Sequence, residues 1–431
     1  VQSVISTAAP AKNSLSLLCP DTMPVHCLAL PAPLRTPLAR LQLLLRILVF
    51  VCAFKTCAAT PQPAAPVYDG VIRQNPDGRM EAYLRPPFNN SHASFLEIMP
   101  DGSLALAYFS GTQEGQAGVA IVLTQLPPGA TEWPLAHTIS QRANFSNQNP
   151  VLLSDPQSGV FHVFHSQQAA DAGESDSQVW HLQSTDNGRT FTTPRPLFTQ
   201  PGTFDRNRIL RAWDGSLVFP IYSARGNNSD QYSAMQINPD LNGDLNRGWR
   251  NFTVQGSNYL VQPTLWWWPH PHGPQLRALF RDRRAERIYY AHSNDLGRTW
   301  SVPVPTAFPN NNAAIQVNVM HASQGRPIAL VFNNSTGADA NDRAPLTVAL
   351  SYDGGVTWPF QRNLEPPVPQ PPGQGTGDPI IEHSYPSIVQ GKDGVVHVAY
   401  TWNRETVKYC AFTVEWIKGE RGGAMPLNFQ S

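Results

Sequence analysis

Ser351-Tyr-Asp-Gly-Gly-Val-Thr-Trp358 recurs in this 431-residue chain as Ser293-Asn-Asp-Leu-Gly-Arg-Thr-Trp300 and as Ser184-Thr-Asp-Asn-Gly-Arg-Thr-Phe191. All three obey Ser-x-Asp-x-Gly-x-Thr-Trp/Phe, a pattern too constrained to recur three times by chance. In a tight turn an Asp carboxylate accepts bonds from nearby backbone N–H groups, and Gly supplies φ > 0. The Ser and Thr hydroxyls tie the turn down while the aromatic packs beneath it. These aspartates are therefore hairpin clips and poor candidates for catalysis.

A second unit, a turn followed by an alternating apolar strand, runs through the whole chain. Its copies begin at Asp101-Gly, Ser158-Gly, Asp214-Gly, His272-Gly, Gln324-Gly and Asp393-Gly, with glycines stepping by 57, 56, 58, 52 and 69 residues. Six such units at this period predict an all-β fold, a six-bladed β-propeller over residues 80–431. No amphipathic window of helical length competes after residue 60.

Composition agrees: 41 Pro, 30 Gly and 14% charged residues make a turn-rich β-type chain. The charges balance, 31 against 31, so there is no basic field for nucleic acid. Residues 1–60 differ. Leu41-Gln-Leu-Leu-Leu-Arg-Ile-Leu-Val-Phe-Val-Cys-Ala-Phe54 follows Arg35 and Arg40 and precedes small residues, which predicts a signal peptide, with a signal anchor as the alternative. Membrane contact is expected only through that anchor. Residues 61–79 are a Pro/Ala-rich linker and lead-in.

Sequons at Asn89, Asn144, Asn227, Asn251, Asn333 and Asn334 point the same way, to a secreted glycoprotein. Four of the five cysteines lie in the leader, leaving Cys410 alone and no thiolate metal site. A Pro/Gly-rich run, Glu365 to Gly377, is a loop between the last two blades.

A propeller gathers loops from every blade at one end of its axis, so site residues should be scattered through the sequence. Charged or phenolic residues near strand starts stand out at Val261-Gln-Pro-Thr-Leu265, Ala278-Leu-Phe-Arg-Asp282, Asn341-Asp-Arg343 and Glu382-His-Ser-Tyr-Pro-Ser-Ile388. Asp205, Arg206 and Arg208 are further candidates. Trp266-Trp-Trp268 is read as packing between blades, with sugar stacking as its alternative, and His270 and His272 lack an evident third metal ligand.

The clip is the Asp-box, or BNR repeat, and on it the chain resembles the sialidase or neuraminidase superfamily, in its divergent sialidase-like branch. That resemblance implies a six-bladed propeller and an exo-glycosidase removing terminal sialic acid or a related acidic sugar from glycans. It implies no cofactor or metal; we expect a monomer. Such sites hold the sugar carboxylate with three arginines, since a planar guanidinium binds carboxylate bidentately. A tyrosine activated by a glutamate is the nucleophile, an exception among glycosidases. Carried over, Arg281 and Arg343 are two of the arginines and Tyr385 is the nucleophile. The chain departs elsewhere: Gln262 stands where the family has the activating glutamate, His92 where it has the first arginine, and Glu114 where it has the acid/base aspartate. Arg85 lies too early to fill the arginine's place. Two other functions fit these residues, a lyase acting on uronate glycans through a His and a Tyr, and a glycan-binding propeller without catalysis.

Overall fold

The six turn-plus-strand units become the second strands of six antiparallel sheets: Leu104–Gly111, Phe161–Ala169, Leu217–Ser223, Gln275–Asp282, Ile328–Asn333 and Val396–Trp402. The structure is a computed structural model that describes residues 65–239, 244–337, 343–367 and 381–419. The apolar leader, and the Pro/Gly-rich run from residue 368, lie outside them.

Each sheet is one blade of a propeller, numbered here one to six. The first strands are Asn90–Ile98, Phe145–Ser154, Thr203–Asp205 with Leu210–Arg211, Leu260–Trp268, Gln316–Val319 and His383–Gln390. Blade six is completed from the other end of the sequence. Met80–Tyr83 pairs with Thr406–Phe412, Glu81 opposite Cys410, and Arg73–Gln74 adds an outer strand from within the lead-in stretch.

The three clips join third to fourth strands in blades two, four and five. At Asp353 the carboxylate accepts Ser351 Oγ at 2.8 Å and Thr357 Oγ1 at 2.6 Å, while Gly355 N donates to Ser351 Oγ at 2.7 Å. Asp186 and Asp295 repeat this pattern. Trp358 and Trp300 each donate Nε1 to the carbonyl of the clip's own glycine. These carboxylates are fully occupied with their turns.

Apolar clusters fill the spaces between neighbouring blades. Leu106, Tyr108 and Val122 of blade one pack with Ala399, Val407 and Tyr409 of blade six, and Leu279, Ile288 and Trp266 of blade four pack with Leu330 and Phe332 of blade five. Along the axis, where adjacent blades share almost no backbone ladder, side chains satisfy the strands instead. Ser387 Oγ accepts Leu96 N at 2.8 Å, Gln316 Oε1 accepts Ile388 N at 2.7 Å, and Thr264 Oγ1 accepts Val317 N at 3.0 Å. Asn333 belongs to this class: it is buried, and its amide donates to His383 O at 2.8 Å. Its sequon is therefore not available for glycosylation.

Six buried imidazoles, His92, His162, His165, His181, His383 and His397, lie within this framework. Burial holds each below the ordinary histidine value, to about 3 at His162 and His397 and about 4 at His165 and His383. An unfolded chain takes up protons that these sites refuse. Their contribution to stability is thus complete above roughly pH 6.5 and is lost as pH falls, by up to ~2 kcal/mol per group at pH 5. The melting temperature at pH 5 is expected to lie at least about 5 °C below that at pH 7.5. Equal melting temperatures at the two pH values would contradict this assignment.

Candidate active site

Four first strands carry the same irregularity near their starts. The pairing register slips at Ala93, Asn149, Gln262 and Tyr385, with φ of 60, 48, 51 and 51° respectively. A β-bulge with a non-glycine residue at positive φ costs on the order of 1–3 kcal/mol, and such strain concentrates where a side chain is re-aimed for use. Pro follows in three of the four, at 150, 263 and 386. A proline lacks the N–H that a broken ladder would leave unpaired.

Tyr385, only 7% exposed, is the centre of this end of the axis. Arg281 sits at the end of blade four's second strand and donates Nη1 to Tyr385 Oη at 2.6 Å and to Gln262 Oε1 at 2.9 Å. Its Nε goes to Asn312 Oδ1 at 2.9 Å, so three acceptors fix the guanidinium. Arg206, Arg343 and Arg281 lie 5.3, 5.5 and 5.6 Å from the tyrosine ring centre. Burial pushes the phenol up, but Arg281 and Arg343 outweigh it and hold Tyr385 below the ordinary tyrosine value. A hydroxyl that receives a charged donor and faces cations is prepared to become an anion.

Glu382 anchors the other side. Its carboxylate is fully buried and accepts Arg343 Nη1 at 2.6 Å, Arg404 Nε at 2.8 Å and Ser384 Oγ at 2.5 Å. Burial alone would raise its pKa; the guanidiniums of Arg343 and Arg404 override that and lower it. Arg404 also pairs with Glu114 through Nη1. His92 packs on Tyr385 with ring centres 4.1 Å apart, and its Nδ1 meets Thr401 Oγ1 at 2.8 Å. Burial, then the nearby Arg404 and Arg343, keep His92 neutral, and its Nε2 has no partner. On the far wall Arg283 donates to Gln231 Oε1 at 2.8 Å and Glu174 Oε2 at 2.6 Å. Among the described residues here, five guanidiniums (Arg206, Arg281, Arg283, Arg343, Arg404) face three carboxylates (Glu114, Glu174, Glu382), so the site favours an anion.

All six residues singled out in the sequence, Tyr385, Glu114, Gln262, Arg281, Arg343 and His92, meet at this end. Arg206 reaches it from below: it is 1% exposed and donates to the backbone oxygens of Ser94, Tyr385 and Pro386 at 3.1, 2.9 and 3.1 Å. Arg206 is thus a support under the tyrosine. Asp205 accepts from Ser166 of the neighbouring blade two, while Arg208 turns to Glu97 and Leu96 O. Arg85 pairs with Glu132 on the surface. His270 and His272 stand with ring centres 5.5 Å apart, and among the described residues no three His, Cys, Asp or Glu side chains are grouped to hold a metal.

Sequence reasoning missed Arg404. It sits at φ 59° beside Asn403 in the turn joining blade six's second and third strands. The signal was topological. Starts of first strands and ends of second strands emerge at one end of an antiparallel blade, which places Arg281, Glu114, Arg343 and Arg404 together.

Residues 102–398 match the family described as BNR repeat-like domain. The sialidase of Micromonospora viridifaciens is 24% identical in an alignment 417 positions long that covers 87% of this chain and 60% of that protein. Among solved structures, the Hadza microbial sialidase Hz136 superposes with a TM-score of 0.60 at 18% identity, covering 76% of this chain and 66% of that one. The leech intramolecular trans-sialidase, solved with 2,7-anhydro-Neu5Ac, gives 0.61 at 13% identity, covering 77% and 69%. A Trypanosoma rangeli sialidase gives 0.59 at 10% identity, covering 82% and 59%. The chain spans under two thirds of the curated relative's length, and the structural likenesses are likenesses of fold.

Proposed function

This chain belongs to the BNR repeat-like family of the sialidase superfamily, and on that premise we propose that it is a retaining exo-glycosidase acting on a terminal acidic sugar, sialic acid or a close relative. One observation carries the proposal: a buried tyrosine whose hydroxyl takes an arginine hydrogen bond at 2.6 Å inside a cluster of guanidiniums. A phenolate suits an anomeric carbon that already bears a carboxylate, because a carboxylate nucleophile there would be repelled. The solvent-facing edge of the Arg343 and Arg404 pair, 12% and 20% exposed, is where the sugar carboxylate binds, with Arg281 beside it.

Having lost its proton to solvent beside Arg281 and Arg343, Tyr385 Oη forms a bond to the anomeric carbon as the bond to the leaving oxygen breaks, and Glu114 gives that oxygen its proton. Water then attacks the same carbon, returning a proton to Glu114 and releasing the phenolate. Glu114 rests in an ion pair with Arg404. A substrate carboxylate arriving at Arg404 competes with that pair and releases the Glu114 side chain toward the leaving oxygen. Gln262 takes no proton from Tyr385; its role is to hold Arg281, so the cations do the activating. The apolar leader and the exposed sequons support a secreted protein acting on glycans outside the cell.

The test is turnover of a fluorogenic α-sialoside by the full chain, with the anomer released first followed by NMR. The α anomer is expected. Absence of turnover from folded protein, or release of the β anomer first, rejects the reading. A neutral buried His92 against Tyr385 is also a base and acid pair fit for β-elimination from a uronate glycan. Formation of an unsaturated sugar from such a glycan, without sialoside turnover, would favour that lyase reading.

A further inference from the structure

The first strands run from the Tyr385 end to the opposite mouth of the axis, where a cavity of about 320 Å³ opens. That is within the range of small-ligand sites, roughly 300–1,000 Å³. Ends of strands from five blades build it, with Glu97, Arg208, Trp267, Asn318, His321 and Gln390 in the wall. Trp267 follows Gln262 by five positions of blade four's first strand, so the two mouths lie at most roughly 17 Å apart.

Its lining differs in kind from the tyrosine site. Trp266 is buried between blades, but Trp267 is half-buried and lines the cavity, with its Nε1 tied to Arg211 O at 3.0 Å. Outside the cavity wall, Trp213, 56% exposed, stands against Trp267, the rings 4.7 Å apart at 63°. Two indoles at such an angle make a corner with a broad apolar face open to water. The Arg208–Glu97 ion pair, 16% and 15% exposed, forms part of the same wall. It presents fixed donors and acceptors side by side, and its charges cancel. Asn318 Nδ2 is held by Ile388 O at 3.1 Å, which fixes the amide and leaves its oxygen without a protein partner. Gln390, by contrast, is fully engaged with Ser323, Gly394 and Ala322.

An aromatic corner, a neutralised guanidinium–carboxylate pair and a fixed amide oxygen match a ring with one apolar face and adjacent hydroxyls. We propose that the mouth opposite Tyr385 is a second sugar site, one that takes a neutral hexopyranose. The ring lies on Trp213 and Trp267, and its hydroxyls meet Arg208, Glu97 and Asn318. An acidic sugar gains nothing here, because no free cation faces the cavity among its described lining residues. Such a site holds the neutral part of a glycan independently of the chemistry at Tyr385.

Intrinsic tryptophan fluorescence of the full chain, titrated with D-galactose, D-glucose, D-mannose and N-acetylglucosamine, tests this. At least one sugar should saturate the signal with Kd on the order of 1–10 mM, appropriate to so small a ligand. Saturation-transfer NMR should then show about tenfold weaker binding to Trp213→Ala, a surface substitution, and to Asn318→Ala. Arg343→Ala should bind the sugar unchanged, and Trp213→Ala should keep wild-type turnover of a small soluble substrate. No saturation by any of the four sugars overturns the proposal. So does undiminished binding by Trp213→Ala, or loss of binding in Arg343→Ala, which would move the sugar to the other mouth.

Discussion

Tyr385→Phe is expected to lower kcat by at least ~10³-fold while leaving the fold intact. Only one oxygen is removed, and Arg281 keeps Gln262 and Asn312 as acceptors. The cost in stability should therefore be about 1 kcal/mol. Substrate binding should survive, because the carboxylate clamp is untouched; KM changes little while kcat collapses. If Tyr385→Phe kept more than a tenth of wild-type turnover, the tyrosine would be a packing residue and the nucleophile would lie elsewhere. Gln262→Glu sharpens the test. A carboxylate 2.9 Å from Arg281 Nη1 would compete for that guanidinium and accept the phenol's proton. The base-requiring limb of the pH–rate profile should then move to lower pH, since proton removal no longer relies on cations alone.

Glu382→Gln should have the largest effect on stability. A fully buried carboxylate that neutralises two guanidiniums cannot be replaced by an amide without leaving Arg343 uncompensated and Arg404 with Glu114 alone, a loss of about 3–5 kcal/mol. Because the folded pKa of Glu382 is depressed, its contribution is present above the unfolded value near 4.3 and is lost as pH falls through the folded one. The gap in melting temperature between wild type and variant should therefore be widest near neutrality and narrow on acidification. Freed from Glu382, both arginines turn toward Glu114, so KM for an acidic sugar should also rise. A large stability loss with unchanged KM would make Glu382 purely a core residue.

The blades were legible because one short motif and one looser turn-plus-strand unit repeat at a nearly constant step, each copy enforced by the same turn chemistry. The site was partly legible for the same reason. Gln262-Pro and Tyr385-Pro stand at equivalent starts of first strands, as does Asn149-Pro, whose equivalence shows only once the bulges are seen. What stayed hidden depends on pairing across the ring. Arg404 approaches Glu382 and Glu114 from a hairpin with no motif of its own, and 290 residues separate it from Glu114. Arg206 stands in the sequence only as one of three neighbouring candidates, because nothing local reveals that its partners are carbonyls of blades one and six.

The strand that completes blade six sets a waiting time during synthesis. Met80–Tyr83 leaves the ribosome ahead of blades one to five, whereas its partner Thr406–Phe412 follows them. At about 5–20 residues per second the interval is tens of seconds, and closing so long a loop is slow in any case. Throughout it, blade one presents its flank to water and the early strand is an unpaired edge. Glu81, which ends up 3.1 Å from Lys408 Nζ, places a carboxylate in that edge, a charge that discourages wrong neighbours until the lysine arrives. The arrival of Thr406–Phe412 thus converts a string of blades into a ring, and Tyr385, Glu382 and Arg404 come with the same sixth blade, so the site forms only once that blade is made.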